Sequence, residues 1–215
     1  MKKLSLIIFS ISLWSITCYG QSSASFVVNG KWGSESIPLF VDSYGNEITL
    51  STGSGISGGG EYAYDFSRLF NLAIGANFNY SRISRLAKNA DGQFMEMGVY
   101  ITPSLTLPAR PDPKIKVLIG AGPDLYSFGT IKIDAEEAGG QNMTIKYKPA
   151  FGYHCQILFL LKNPIEGTCL IIGPKYYNVS YTYREKGSTH YFTDRKINNP
   201  DGSGIGLYVG IYQKF

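Results

Sequence analysis

Nine titratable side chains, Lys31, Glu61, Glu96, Lys116, Asp124, Lys146, His154, Lys175 and Lys214, stand within apolar stretches and keep to the parity opposite the apolar residues. What they can do depends on what they face. Along a water-filled channel they would line a gated polar pore. In a narrow enclosure they would pair with one another, because a charge taken out of water is tolerated only when it is matched and hydrogen-bonded. The enclosed arrangement is the one expected here, as a lumen charge network of Lys31, Glu61, Glu96, Lys116, Asp124, Lys146 and Lys175.

Catalytic and metal-ligating combinations are poorly represented. His154 and His190 are the only histidines. A hydrolytic site needs a histidine with a hydroxyl nucleophile and an acid in reach. In "KGSTHYFTDRK" Ser188 lies close to His190, but a loop histidine beside a loop serine reads as solvated, and no His-x-Ser motif occurs. Cys155, Cys169 and His154 lack the spacing of paired metal ligands. The two cysteines fall on neighbouring strands, out of register for a disulfide. The expectation is no enzyme, no catalytic residue, no metal and no cofactor. A different surface lies between Arg184 and Asp201, where Arg184, Lys186, Arg195 and Lys196 mix with Glu185 and Asp194. That mixture suits anionic headgroups or a protein partner.

The elements that must position these groups follow from a two-residue period. In "GLYVGIYQKF" and the residue before it, Ile205, Leu207, Val209, Ile211 and Phe215 share one parity, opposite Gly206, Tyr208, Gly210, Tyr212 and Lys214. Leu72, Ile74, Ala76, Phe78 and Tyr80 behave alike, as do Met95, Met97, Val99, Ile101, Leu105 and Leu107, and then Ile115, Val117, Ile119, Ala121 and Leu125. With strands near 25–33, 47–65, 144–160 and 167–183 the count is eight. Short turns follow residues 65, 107 and 160. Longer polar loops are expected at 34–46, 85–92, 128–143 and 184–202. An even-numbered antiparallel meander with short turns at one end and long loops at the other is the plan of a transmembrane barrel. Its eight-stranded bore is just wide enough for side chains to fill.

Residues 1–20, with Lys2, Lys3 and an apolar run to Ile16, have the build of a signal peptide with cleavage after Gly20. Cys18 offers a lipidation alternative, with Ile16 and Thr17 fitting that acceptor box poorly. Removing these residues takes two of the 20 basic side chains, leaving 18 against 16 acidic, so nothing calls for nucleic acid. Residues 21–215 are one domain. Pro103, Pro123, Pro149 and Pro174 fall inside expected strands, all facing outward, where bulges or strand ends are expected. Trp32, Tyr62, Tyr64, Phe66, Phe70, Tyr176, Tyr177, Tyr181 and Tyr183 are expected in two interfacial girdles. The glycines of "GSGISGGGEY" should give bulky neighbours room inside.

The last strand, with Gly210 and the terminal Phe215, resembles the assembly signal of outer-membrane barrels, although Gln213 departs from it. "VYITPSLTLPARPDPKIKVLIGAGPDLYSFG" resembles the middle hairpin of the small OmpA/OmpX-like outer-membrane barrel family. The resemblance implies an all-β, eight-stranded antiparallel up-and-down barrel in the outer membrane of a Gram-negative cell, with no wall-anchoring domain. It implies as partners outer-membrane lipid and lipopolysaccharide, the barrel-assembly machinery through the C-terminal strand, and an unidentified surface protein, with the barrel itself a monomer. Three alternatives stay open: a secreted lipocalin-like binder, to whose first strand "NGKWG" is similar, a small pore, and a lipid A-modifying enzyme.

Overall fold

The structure, a computed structural model, describes residues 21–41, 45, 47–82, 91–108, 115–134, 142–162, 167–184 and 195–215. The signal peptide, Cys18, Lys186, Ser188 and His190 lie outside them. Strand β1 (Gln21–Gly33) is followed by a hairpin of β2 (Ile37–Val41) and β3 (Glu47–Leu50), then by β4 (Gly55–Asp65), β5 (Phe70–Arg82), β6 (Asp91–Pro108) and β7 (Ile115–Asp134). Next come β8 (Met143–Tyr147), β9 (Ala150–Lys162), β10 (Thr168–Val179), a single helical turn α1 (Arg195–Asn198) and β11 (Gly204–Lys214).

Eight of these strands close on themselves in the order β1, β4, β5, β6, β7, β9, β10, β11 and back to β1, every pairing antiparallel. Closure leaves no edge, which is what a sheet in hydrocarbon requires of its backbone. The wall obeys the expected period. Ile205, Leu207, Val209 and Ile211 are exposed while Gly206, Tyr208, Gly210 and Tyr212 are buried. The same outward belt runs through Phe26, Val28, Ile74, Phe78, Val99, Ile101, Ile119, Ile157 and Phe159. Inward glycines make room for rings. A Cβ on Gly75 would lie 2.3 Å from Cζ of Tyr100, and one on Gly98 would lie 3.0 Å from Cδ1 of Tyr126. That packing role is spread over several strands rather than concentrated in β4.

The four prolines face outward as expected and Pro149 stands between strands, but at the other three the expected bulge is absent and the ladder is simply interrupted. Pro103 and Pro123 lie in the gap between Tyr100↔Asp124 and Ser104↔Gly120, where β6 and β7 are unpaired but their register is unchanged, and Pro174 lies in the gap between Ile172↔Phe159 and Lys175↔Gln156. Missing donors fall where the ladder is already broken. Pro149 sits between β8 and β9.

Several boundaries differ from expectation, and each difference has a local cause. The stretch 47–65 is two strands: 47–50 folds onto 37–41, inside an expected loop, and only 55–65 joins the wall. The second begins at Gly55, whose φ of 127° is a conformation favouring glycine. Likewise 144–160 divides at Lys148-Pro149. Strand β7 runs past the wall to Asp134 and there pairs with β8. A bulge in β7 opposite Met97/Gly98 places Ser127 and Phe128 both outward, so the buried parity shifts from even at Tyr126 to odd at Gly129, Ile131 and Ile133.

Candidate functional site

The inward face is layered. At the short-turn end Val27, Leu158, Leu160, Ile171, Tyr208 and Tyr212 form one apolar cluster. At the long-loop end Ile37, Ile48 and Leu50 of the β2–β3 hairpin pack with Phe94, Tyr126, Ile131, Ile145, Tyr147, Val179, Tyr181 and Ile197. The polar groups lie between the two along the strands. On β10, for example, Ile171 precedes Lys175 and Tyr177, and Val179 follows.

Within this layer the Lys31 ammonium donates to Oε1 of Glu96 at 2.9 Å, with side-chain exposure of 1 % at both residues. The other oxygen of Glu96 accepts the Tyr181 hydroxyl. Lys31 also stands over the ring of Tyr177, 4.7 Å from its centroid, and the Tyr177 hydroxyl accepts from the Asn29 amide. Lys175 is caged by the rings of Tyr100, Tyr177 and Tyr208 at 4.1, 5.4 and 5.7 Å, with Asp124 and Glu61 as its electrostatic partners. Aromatic faces attract a desolvated cation. Glu61 in turn faces the Tyr208 hydroxyl at 3.5 Å. Asp124 Oδ1 meets Nδ1 of His154 at 2.8 Å, and Nε2 of His154 meets the Thr102 hydroxyl at 2.8 Å.

The last chain has the order acid, histidine, hydroxyl, which is the order of a nucleophilic triad. Thr102 and His154 are both buried, however, with Tyr100 stacked edge-on against the imidazole at 5.5 Å. The set links β6, β7 and β9 to one another, with Thr102, Asp124 and His154 all buried.

Of the expected network residues, Lys31, Glu61, Glu96, Asp124 and Lys175 come together here. Two others do not. Lys146 is exposed, because the Lys148-Pro149 step puts the odd residues Ile145 and Tyr147 inward on β8. Lys116 keeps the inward parity but stands at the short-turn rim and is exposed. Lys214, also at that rim, pairs with Asp65 at 2.9 Å. Tyr177 and Tyr181, expected in the girdles, are instead buried in the lumen, whereas Trp32, Tyr62, Phe66, Phe70 and Tyr176 are exposed on the outside. Tyr177 shares the parity of Lys175, a sequence signal sufficient to place it inward. Tyr181 shares that parity as well, within the expected strand 167–183, although β10 itself ends at Val179.

The cysteines pair in register with Tyr176 and Lys162 and are both free. Phe215 projects outward with 75 % exposure, and its N–H donates to the Ser22 carbonyl at 2.9 Å. Arg184 is exposed; of Arg195 and Lys196 the backbone forms α1. Where the prolines interrupt the ladders, a groove of about 660 Å³ runs over the outer wall past Pro103, Leu105, Ile119, Cys155, Ile157 and Pro174. It lies within the apolar belt.

A closed eight-stranded antiparallel barrel with an apolar outer face is the fold of the small outer-membrane barrels. Solved structures share it. Neisserial surface protein A aligns over 91 % of this chain and 97 % of its own at 13 % identity with a TM-score of 0.50. The outer membrane protein OprG of Pseudomonas aeruginosa aligns over 92 % and 96 % at 11 % identity with a TM-score of 0.56. A major outer membrane protein of Thermus thermophilus gives 91 %, 99 %, 10 % and 0.56 in the same order. No protein-family model and no curated protein sequence matches the chain.

Proposed function

We propose that the protein is a non-catalytic integral outer-membrane barrel, exported by residues 1–20, whose lumen is closed by side chains and whose work is done by its long-loop end as envelope structure or attachment surface. The buried Lys31–Glu96 pair carries the reading. A hydrated pore would screen and separate such charges, whereas here they meet directly between two apolar clusters. An outward apolar belt opposite a polar interior is also the reverse of a lipocalin-type binder, whose apolar face points inward.

The exposed ring of Phe215 and the glycine at 210 are the features through which the assembly machinery would engage the last strand. Arg184, Lys186, Arg195 and Lys196 belong to the loop end that meets partners. Purified protein reconstituted in planar bilayers tests the closed lumen. Little or no steady conductance is expected. Large, stable currents whose ion selectivity changes with Glu96→Gln would replace this reading with a pore.

A further inference from the structure

At the short-turn end the start of β1 stands in a polar corner built from three strands. Gln21 pairs in register with Asp65 of β4, and Ser23, two residues on, pairs with Lys214 of β11. The Lys214 ammonium donates to Oδ2 of Asp65 at 2.9 Å and to the carboxamide Oε1 of Gln21 at 3.4 Å. Oδ1 of Asp65 accepts from the Asn71 amide at 2.7 Å, and the Phe215 N–H fixes the end of the chain to the Ser22 carbonyl at 2.9 Å. Lys214 and Asp65 are half-buried, whereas Gln21 is exposed. The groups around the carboxamide come from β4 and β11, which flank β1 only once the barrel has closed.

Export with cleavage after Gly20 makes Gln21 the N-terminus, and the inference rests on that part of the reading above. The α-amine and the carboxamide then belong to one residue, and attack of the first on the second closes a lactam. An α-amino group ordinarily titrates at about 7.7–8.0, so part of it is the neutral nucleophile at neutral pH. Its nitrogen attacks Cδ and forms the N–Cδ bond while charge grows on Oε1. The Cδ–Nε2 bond then breaks, and ammonia leaves with the proton that the attacking nitrogen gives up. No oxidant or co-reactant enters. Lys214 is a fixed donor aimed at the oxygen on which the charge develops. Asp65, across from Gln21, is the carboxylate placed to pass the proton from the entering nitrogen to the leaving one.

We infer that Gln21 is cyclised to pyroglutamate at this corner, with Lys214 as donor to the oxyanion and Asp65 as proton carrier. The charge balance favours the product. An open Gln21 would set an α-ammonium beside Lys214, so that two cations share the Asp65 carboxylate, and like charges held opposite one another are unfavourable. The lactam removes one of them and keeps Oε1 as the acceptor for Lys214. It also leaves the barrel wall without a free amino end for an aminopeptidase to grip.

Two measurements test this. Protein expressed with its own residues 1–20 is extracted from the outer membrane, and mass spectrometry of its N-terminal peptide should show a chain beginning at residue 21 and lighter by one ammonia than the open form. For the rate, residues 21–215 behind a removable leader are folded in detergent, the leader is cut immediately before Gln21, and loss of ammonia is followed at neutral pH beside the same chain in guanidinium chloride. Folded wild type should cyclise at least about tenfold faster than the unfolded chain, Lys214→Met and Asp65→Asn should fall toward the unfolded rate, and Lys116→Met at the same rim should match wild type. A heat-modifiability gel reports whether each variant is folded, and the comparison of folded with unfolded wild type stands if neither is. An open Gln21 on the membrane-extracted protein, equal rates in the folded and unfolded chain, or folded variants as fast as wild type would overturn the inference. A chain in the outer membrane that begins at an open Gln21 loses only the cyclisation, and one that begins elsewhere loses the cleavage reading with it.

Discussion

Replacing Glu96 by Gln removes the anion facing Lys31 while keeping size and an acceptor for the Tyr181 hydroxyl. Both partners are almost wholly out of solvent, so the variant leaves a buried ammonium without its counter-charge, a change that costs about 3–5 kcal/mol. At about 1.4 kcal/mol per tenfold, the unfolding equilibrium moves by roughly a hundredfold to several-thousandfold. The compensating change separates charge from shape. Lys31→Met/Glu96→Leu removes both charges, and an apolar replacement of a buried pair is often neutral; its remaining cost is the Tyr181 hydroxyl left without an acceptor, about 1–3 kcal/mol, which Tyr181→Phe should recover. Urea-driven folding into phospholipid vesicles measures all three. Trp32, on the outward face of β1 and exposed, is the only tryptophan of residues 21–215 and reports insertion of that span by its fluorescence. If Glu96→Gln falls within about 1 kcal/mol of wild type, or the double variant is as damaged as the single one, the pair is not the clamp argued here. The exposed Arg82–Asp91 pair, at 2.7 Å, is the internal control and should be nearly silent when broken.

Ile74→Arg or Ile119→Arg places a charge in the apolar belt and should cost about 2–4 kcal/mol in the same assay, whereas Asn77→Ser on the inward parity should cost little; equal tolerance at both would argue for a water-soluble barrel. Phe215→Ser should lower outer-membrane levels without reducing export, measured by fractionation and immunoblot, and undiminished folded protein in the membrane would remove Phe215 from the assembly signal. At the long-loop end, burial raises the Asp201 carboxyl, but hydrogen bonds from the Ser203 hydroxyl and N–H and from the Ser34 hydroxyl outweigh it and hold it below its ordinary range. A depressed carboxylate stabilises above its unfolded pKa and loses that contribution as the pH falls through the folded value. The clip between residues 34 and 201–203 should therefore hold at neutral pH and loosen only below about pH 4. Amide exchange at Ser34 and Ser203 reads this directly, and protection independent of pH there in wild type, or a loosening between pH 7 and pH 3 that persists in Asp201→Asn, would count against it.

What the sequence by itself determined is the wall. The pleat sends successive side chains to opposite faces, so period alone placed Ile205, Leu207, Val209 and Ile211 outside and put Glu61, Glu96, Asp124 and Lys175 on the inner face. It also located the prolines at interruptions of the ladder, because a missing donor is a local property of the residue. Partner choice was decided only by the tertiary structure. Lys31 finds Glu96, 65 positions away, because closure of the barrel brings β1 and β6 across one narrow bore, and no local pattern encodes which acid stands opposite which base. The same is true of Lys146. A one-residue irregularity reverses every side chain beyond it, so the bulge in β7 and the Lys148-Pro149 step moved that lysine from the lumen to the outer surface. The hairpin of residues 37–50, which the sequence presents as a polar loop running into a strand, became an apolar lid because Ile37, Ile48 and Leu50 lie beside Phe94 and Tyr147 only after the eight strands have closed beneath them.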